Sequence, residues 1–316
     1  MLAATLAIKL LLMNAIGVFI RKSGVVNKDF SSRLTNLILK FCIPCLVFNS
    51  VSNSAEFSLE LLTNCGVVIL LSAVTVLISF GVGQVFFAWN RKSGSGRILR
   101  YGLTFCHFSF MGIPVMEALF GSMGTFYYVS FFLLPVRIAY YGFSDALMTP
   151  AEQQGEKTQS IWSRTRKILL NPCMISLVLA MIFWICDWQL PDALGYCVKS
   201  MSSLSSPLAL LLCGMVLGEY NFKELTRIKY LLLPLLRVLL MPAVIFGVSR
   251  IFLLVGAEKL LCDMMVIYAA LPVASLLPIY TIRFDPDLEN QRNAAAASIL
   301  SVLLSAVTIP IWYMLL

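Results

Sequence analysis

The sequence predicts an all-α integral membrane protein with ten transmembrane helices, arranged as two inverted repeats of five helices each. Three observations lead to this prediction: the composition, the spacing of apolar runs, and the distribution of Lys and Arg between successive loops. Of the 316 residues, 59% are hydrophobic and only 13% are charged, whereas about a quarter of the residues in a soluble domain are charged. The composition therefore excludes a soluble globule of this size.

Apolar runs of spanning length follow one another along the whole chain. A helix that crosses a bilayer needs about 20 apolar residues, and turn and charge signals separate the runs. The predicted spans 1 to 10 cover residues 2–20, 31–52, 61–89, 99–119, 124–147, 167–187, 193–218, 230–250, 260–280 and 294–315. Span 1 lacks a preceding basic region and a clear small-residue cleavage site, so we interpret it as a retained helix and not as a signal peptide.

Basic residues alternate between loops in the order that ten spans require. Counted with the residues that flank the spans, the segments 21–33, 90–100, 148–168, 218–230 and 281–293 contain 17 of the 24 Lys and Arg. The four intervening loops, near 53–60, 120–123, 188–192 and 251–259 with the flanking Arg250, contain two. Cytoplasmic loops carry the excess of Lys and Arg, so we expect a multi-pass protein of the cell (inner) membrane with both termini extracytoplasmic. The net charge of +8 then reflects orientation, and no nucleic-acid partner is predicted.

The longest polar segment divides the chain into halves of equal span number. A predicted cytoplasmic linker at 148–166 separates a first repeat, 1–147 (spans 1–5), from a second, 167–316 (spans 6–10). Because each half has an odd number of spans, the halves insert with opposite orientation. Inverted repeats of this kind are typical of secondary transporters, whose substrate sites lie at broken helices near the midplane.

Four prolines occupy related positions in the two halves. Pro44 and Pro114 lie in spans 2 and 4, and Pro207 and Pro272 lie in spans 7 and 9. Proline removes a helix hydrogen bond and clashes with the preceding turn, so we expect these spans to be interrupted, a simple kink being the alternative for any one of them. Interrupted backbone at membrane depth is tolerated where it is buried in protein or lines a wet cavity.

The residues that carry metal, redox or catalytic chemistry form no recognisable set. The nine cysteines include no C-x-x-C pair and no Cys/His ligand spacing, so neither a disulfide framework, a metal site nor a cofactor is predicted. The single histidine lacks the neighbours that an intramembrane enzyme would need. We therefore expect a protein that is not an enzyme, with a ligand-sensing receptor on a transporter fold as a further alternative.

Six short motifs, in a fixed order over nearly the whole chain, form a recognisable set. They are the segment 36–49 (NLILKFCIPCLVFN), Met111-Gly112-Ile113-Pro114, Asn171-Pro172, Ser206-Pro207-Leu208-Ala209-Leu210 followed by Gly214 and Gly218, Arg237 five residues before Pro242, and Ala269-Ala270-Leu271-Pro272. This set resembles the auxin efflux carrier family, which contains plant auxin exporters and bacterial permeases for organic acids such as malate and malonate.

The resemblance implies a particular architecture and mechanism. It implies a PIN-like fold, shared with bile-acid symporters, in which broken spans 4 and 9 cross at Pro114 and Pro272. Spans 1, 2, 6 and 7 would form a scaffold, and spans 3–5 and 8–10 a transport domain that moves in an elevator-like step. The implied assembly is a homodimer in lipid. The implied cargo is a small organic anion.

Three positions depart from the plant carriers of this family. His107 stands where they have an asparagine seven residues before the span-4 proline, Cys173 replaces a second asparagine, and Val273 replaces a glutamine. These departures disfavour an indole acid such as auxin, which remains an alternative cargo. An imidazole titrates near neutral pH and an amide does not, so His107 is a candidate both for substrate contact and for proton coupling; a neutral, structurally satisfied imidazole is the alternative.

Ten residues are the candidates for substrate binding. Carried over by position from the family are Ile43, His107, Ser109, Gly112, Pro114, Asn171, Cys173, Pro272 and Ser275. To these we add Arg137, because a guanidinium matches a carboxylate; pairing with Glu117 or Asp145 is the alternative. For Arg237 we favour a structural pair with an acid.

The predicted function is a secondary active transporter or uniporter of a small carboxylate, with proton linkage through His107 as one option. Sodium sites want a carboxylate plus several oxygens, and the span-4 and span-9 candidates are hydroxyls, so proton coupling or uniport is favoured. A sodium-coupled symporter of the bile-acid type remains the closest alternative.

Overall fold

A computed structural model describes residues 2–52, 59–89, 94–150, 166, 169–218 and 230–316. This part of the chain is helical, and its one pairing of extended backbone is an isolated antiparallel bridge between Cys106 and Val273. The all-helical class predicted from the sequence is therefore confirmed for the described residues. The predicted linker 148–166 lies largely outside them.

Fourteen α-helices follow one another in the described segments. They are α1 Leu2–Lys22, α2 Lys28–Leu37, α3 Ile43–Ser52, α4 Leu59–Trp89, α5 Gly94–Thr104, α6 Gly112–Tyr127, α7 Leu133–Met148, α8 Pro172–Ile185, α9 Asp192–Gly218, α10 Leu232–Leu235, α11 Met241–Leu254, α12 Lys259–Ala270, α13 Leu277–Phe284 and α14 Leu288–Leu315. Three π-helical turns, Ile38–Cys42, Tyr128–Phe132 and Leu236–Leu240, join α2 to α3, α6 to α7 and α10 to α11.

Six helical segments of the described chain are long and apolar enough to cross a membrane. They are Asp29–Ser52, Leu61–Ala88, Gly112–Met148, Asp192–Gly218, Leu232–Leu254 and Leu288–Leu315, and Pro172–Ile185 is a shorter apolar helix. These segments are those of an integral membrane protein. The number six is smaller than the predicted ten partly because spans 4 and 9 contain short helices, α5 with α6 and α12 with α13.

The segment Gly112–Met148 holds the second part of predicted span 4 and all of predicted span 5. At 1.5 Å per residue its 37 residues would measure about 55 Å if straight, against about 30 Å for a bilayer core. Gly121 interrupts it with φ 64° and ψ −153°, a conformation that glycine adopts without a Cβ clash. The interruption falls in the loop 120–123 predicted between spans 4 and 5.

Only two of the four proline-containing spans are interrupted. Helix α9 runs through Pro207 without a break, and α3 contains Pro44 as its second residue directly after a π-helical turn. The expectation of a break at these two prolines was wrong. At Pro44 the π turn accommodates the ring, because the Ile43 N–H reaches back to the Ile38 carbonyl, and such insertions are a common way for a helix to absorb a local misfit.

The π turn before Pro242 shows how the missing proline hydrogen bond is replaced. In a regular helix the Val238 carbonyl would accept from the N–H of residue 242, which proline lacks. The Trp312 Nε1–H of α14 donates to that carbonyl at 3.1 Å. A side chain from another helix thus satisfies a backbone group that the sequence leaves without its usual donor.

The chain divides into two compact units that each combine distant segments. Unit 1 comprises Met1–Ile69, Ser109–Leu134 and Arg166–Tyr220, and unit 2 comprises Leu70–Phe108, Pro135–Thr165 and Asn221–Leu316. Spans 1, 2, 6 and 7 belong to unit 1, and spans 8–10 to unit 2. Spans 3, 4 and 5 are each divided between the units.

Within unit 1, α1 and α9 approach each other closely through glycines. A Cβ on Gly17 would lie 2.8 Å from the Cα of Gly214, and one on Gly218 would lie 2.9 Å from the Cβ of Arg21. Close helix approach through small residues is a common packing mode in membranes, where dispersion contacts replace the hydrophobic effect. Helix α8 packs on α3, and its Ser176 hydroxyl donates to the Pro44 carbonyl at 2.5 Å.

Within unit 2, the buried carboxylate of Asp285 ties together three segments. It accepts from Arg97 Nη2 of α5 at 3.2 Å, from Asn290 Nδ2 of α14 at 3.0 Å and from the Asp287 backbone N–H at 3.1 Å. The side chains of Arg97 and Asp285 are only 15% and 7% exposed. The network fixes the start of α5 against the connection from α13 to α14.

Candidate functional site

The candidate site in unit 2 lies at the ends of α5 and α12, where each helix gives way to an unwound segment. Helix α5 ends at Thr104 and α12 ends at Ala270, and the extended segments that follow lie antiparallel. The His107 N–H donates to the Pro272 carbonyl at 2.8 Å, and the Ala274 N–H donates to the Phe105 carbonyl at 3.3 Å. The two unwound segments thereby satisfy backbone groups that lost their helical partners, as buried backbone requires.

Ser301 of α14 binds one of the two unwound segments through its side chain. Its Oγ accepts the Val273 N–H at 3.1 Å and donates to the Ser298 carbonyl at 2.9 Å, and the residue is fully buried. The Ser301 hydroxyl therefore satisfies the Val273 N–H, which lies in an unwound segment and has no helical acceptor. The sequence analysis missed this residue, because a serine in an apolar helix carries no motif.

Replacing Ser301 with alanine is expected to leave the buried Val273 N–H without its partner and to cost about 1–3 kcal/mol of stability. The thermal midpoint of the detergent-purified protein measures the loss. Ser249→Ala is the matched control in the same unit, because the buried Ser249 hydroxyl donates to the Phe246 carbonyl of its own helix at 2.8 Å. Equal midpoints for the two variants would contradict the supporting role of Ser301.

Arg237, in the π turn Leu236–Leu240, contacts both broken helices of unit 2. Its Nη1 donates to the Leu103 carbonyl at 2.6 Å, and its Nε donates to the Leu271 carbonyl at 3.1 Å. The residue is fully buried. The guanidinium pairs with backbone carbonyls, and among the described residues no carboxylate forms a salt bridge with it. The acid partner expected from the sequence is therefore not found in the described part of the chain.

Aromatic side chains surround the backbone of His107. The imidazole is buried at 8% exposure, and the rings of the neighbouring Phe105 and Phe108 pack edge-on against Tyr140 of α7 at 5.1 and 5.2 Å. Arg137 lies one turn before Tyr140 on α7 and is also buried. Ser275, in the unwound segment before α13, is exposed. Unit 2 thus pairs His107 with Pro272 directly, and contains Arg137 and Ser275 as well.

The candidate residues of unit 1 include two with evident structural roles. The Asn171 Oδ1 accepts the Cys173 N–H at 2.9 Å and caps α8, a favoured use of asparagine. The Cys173 Sγ lies 4.0 Å from the Leu39 carbonyl in the turn before α3. Ile43, the first residue of α3, is buried within the unit. The substrate contacts predicted for these residues remain predictions.

The remaining candidates lie where α6 begins. Ser109 precedes the helix, Gly112 is its first residue and Pro114 its third. The Ser109 carbonyl accepts the Ile113 N–H at 3.4 Å. Pro114 therefore starts a helix and does not break one. In span 9 the restart proline is Pro278 of α13, whereas Pro272 lies in the unwound segment, so the matched prolines of the two halves have different local positions.

Unit 1 also contains a cavity of about 380 Å³. Its lining includes Lys199, Glu117, Asn49 and Ser202. A second cavity of about 410 Å³ shares Glu117 and adds Lys9. The Ser206 hydroxyl of α9 donates to Glu117 Oε2 at 2.5 Å, so this glutamate has a specific partner within unit 1.

The described chain has several apolar helices of spanning length. The unwound segments that follow α5 and α12 are joined by backbone hydrogen bonds. Both features are typical of multi-pass membrane transport proteins. The chain belongs to the membrane transport protein family, that of the auxin efflux carriers, whose sequence model matches residues 3–313. The family predicted from the six motifs is confirmed.

Relatives of similar length carry the same description. The chain is 23% identical over 320 residues to an uncharacterized transporter of Methanothermobacter thermautotrophicus, covering 98% of this chain and 97% of the relative. It is 24% identical over 305 residues to the uncharacterized transporter YfdV of Escherichia coli K12, covering 94% and 92%. An uncharacterized transporter of Methanocaldococcus jannaschii is 21% identical over 311 residues, with coverage of 96% and 95%.

Proposed function

We propose that this protein is a secondary carrier of a small organic anion and that the anion binds at the unwound segments of unit 2. The observation that carries the proposal is the reciprocal pairing of His107 with Pro272 and of Phe105 with Ala274. Irregular backbone is costly at membrane depth and occurs where it lines a binding site or cavity. The pairing holds such backbone in place between two helix ends.

The side chains at these segments favour an anionic cargo. Arg137 is buried in the same unit, and arginine stays charged and presents a fork that matches a carboxylate. Helix α13 begins at Leu277, just after Ser275, and its first N–H groups and positive dipole end favour negative charge. His107 supplies an imidazole that can bind the cargo, carry a coupled proton, or do both.

The finer features of the carrier rest on the family and on the charge pattern. We propose ten spans in two inverted repeats, broken spans 4 and 9 that cross, and an elevator-type homodimer in the cell membrane with extracytoplasmic termini. The alternation of basic loops supports the orientation. The breaks after Thr104 and Ala270 support the proposal that spans 4 and 9 are discontinuous.

Electrogenic current from reconstituted protein on a solid-supported membrane tests the proposal. Malate, malonate, succinate, citrate, lactate and indole-acetate are applied at about pH 5.5 and about pH 7.5, with and without sodium. We expect a saturable carboxylate current in the absence of sodium. His107→Asn is the matched variant, because it restores the family amide and removes the titratable group.

Each outcome of this experiment has a distinct meaning. A current that changes with pH in the wild type but not in His107→Asn supports proton linkage, and a pH-independent current supports uniport. A strict sodium requirement would contradict both proton linkage and uniport, and would favour the bile-acid type of mechanism. No current and no radiolabelled uptake of any of the acids would overturn the anion-carrier proposal.

A further inference from the structure

The two broken helices of unit 2 present an electrostatic problem where they end. Helices α5 and α12 both end with their carbonyl groups at the unwound segments: Leu103 is the second-last residue of α5, and Leu271 is the extended residue that directly follows the last residue of α12. A helix C-terminus carries roughly half a negative elementary charge. Two such ends brought together by the Cys106–Val273 bridge repel each other and, without compensation, would favour a cation.

Arg237 carries the opposite charge at this place. Its Nη1 and Nε donate to the Leu103 and Leu271 carbonyls, one at each helix end. Two half charges of about −0.5 each match the single positive charge of a guanidinium. This match explains how a fully buried arginine is accommodated without a carboxylate, which a buried charge would otherwise require.

The side chain reaches both carbonyls because of the local backbone and the shape of its head group. Arg237 is the second residue of the π turn Leu236–Leu240, and π turns re-aim side chains relative to a regular helix. The guanidinium is planar and has donors on separate edges, so one head group bridges two acceptors. Its Nη2 is buried and has no hydrogen-bond partner among the described residues. The Cys106 thiol, at the bridge between the two segments, also interacts with the guanidinium.

We propose that Arg237 is the positioning residue of the broken-helix centre: its positive charge cancels the two converging helix ends, holds them together, and leaves the centre open to a negative ligand. The last part rests on the proposed anion carrier, whereas the first two do not. The cargo does not need to touch Arg237. The residue acts through the helix ends that it neutralises.

Three substitutions separate the charge from the hydrogen bonds. Arg237→Lys keeps the charge but loses the fork, Arg237→Gln keeps a planar donor without charge, and Arg237→Met removes both. Arg250→Gln is the control, because Arg250 lies on α11 of the same unit and stacks over the Phe246 ring at 4.3 Å, away from the helix ends.

Hydrogen exchange of the purified protein, read by mass spectrometry over peptides covering residues 103–107 and 271–275, tests the positioning role without any substrate. We expect exchange about tenfold faster in Arg237→Gln and Arg237→Met, less than about threefold faster in Arg237→Lys, and unchanged in Arg250→Gln. Exchange in Arg237→Gln as slow as in Arg237→Lys, or slower, would show that hydrogen bonds alone are responsible and would overturn the proposal. If Arg237→Gln and Arg237→Met cannot be purified, the yield of Arg237→Lys decides the test. A folded Arg237→Lys protein would then support the charge role of Arg237, and a failure to purify this variant too would overturn the proposal.

A second measurement addresses the ligand. With malonate as the probe in proteoliposomes, we expect current to survive in Arg237→Lys and to fall at least about tenfold in Arg237→Gln. Wild-type current that persists undiminished in Arg237→Gln would overturn the electrostatic role. If the wild type itself moves no acid, the proposed function fails, and the order of exchange rates among the variants still decides whether Arg237 is the positioning residue.

Discussion

Gly214→Ala is expected to destabilise the protein strongly, because its added Cβ has no room between α1 and α9. That atom would overlap the Asn14 backbone carbonyl and lie 2.9 Å from the Asn14 Cα. These are backbone atoms of a packed helix, so the two helices must separate and not merely rearrange a side chain. Overpacking of this kind costs about 1–3 kcal/mol or more, which the thermal midpoint of the detergent-purified protein measures.

Gly66→Ala on α4 is the matched control for this prediction. No heavy atom lies within 4 Å of the position that its Cβ would take, and alanine favours a helix by up to about 1 kcal/mol over glycine. We therefore expect the Gly66→Ala midpoint to equal or exceed that of the wild type. A Gly214→Ala midpoint as high as that of Gly66→Ala would show that α1 and α9 are not packed through Gly214.

Asp285→Ala is expected to cause the other large loss. The substitution removes the carboxylate that accepts from Arg97, Asn290 and the Asp287 N–H, and leaves a mostly buried guanidinium without its counter-charge. Breaking one side of a buried ion pair costs about 3–5 kcal/mol. We expect little monodisperse protein from this variant, and partial recovery with Asp285→Asn, which keeps an acceptor oxygen.

The pair Lys259–Asp263 provides the comparison for Asp285. Its N···O distance is 2.6 Å, shorter than that of Arg97–Asp285, but the Lys259 side chain is 60% exposed, whereas that of Asp263 is 11% exposed. Solvent around the exposed ammonium screens the pair, so it contributes about 0–1 kcal/mol. Asp263→Ala should therefore shift the thermal midpoint far less than Asp285→Ala does. A reversed order would mean that distance, and not burial, governs these ion pairs.

The sequence was sufficient for the class, the family and the places where two spans break. Composition and apolar run length are properties of the whole chain, so they predict helical membrane segments without any knowledge of contacts. Interruptions of spans 4 and 9 were also predicted from their prolines. In span 9 Pro272 lies in the unwound segment, whereas in span 4 the interruption precedes Pro114, which starts α6. The six-motif set identified the family from local residue order alone.

Other features depend on contacts that no local pattern reveals. The expected breaks at Pro44 and Pro207 did not occur, because a helix can absorb a proline through a π turn, or keep its course, according to its neighbours. The roles of Arg237 and Ser301 arise from residues more than 25 positions away in sequence. The capping of α8 by Asn171 was the exception that could have been predicted, since an asparagine before a proline-initiated helix is a recognised start signal.

Nuclear magnetic resonance of the single histidine tests the central claim most directly. His107 is the only histidine of the chain, so protein labelled with ¹⁵N-histidine, and purified through a tag without histidine, reports only this imidazole. The anion is the acid that gives the largest current in the reconstituted protein. We predict that its addition shifts the His107 resonances saturably, over the same concentration range in which the current saturates. A carried acid that leaves these resonances unchanged at saturation would contradict the assignment of the anion site to the unwound segments of unit 2.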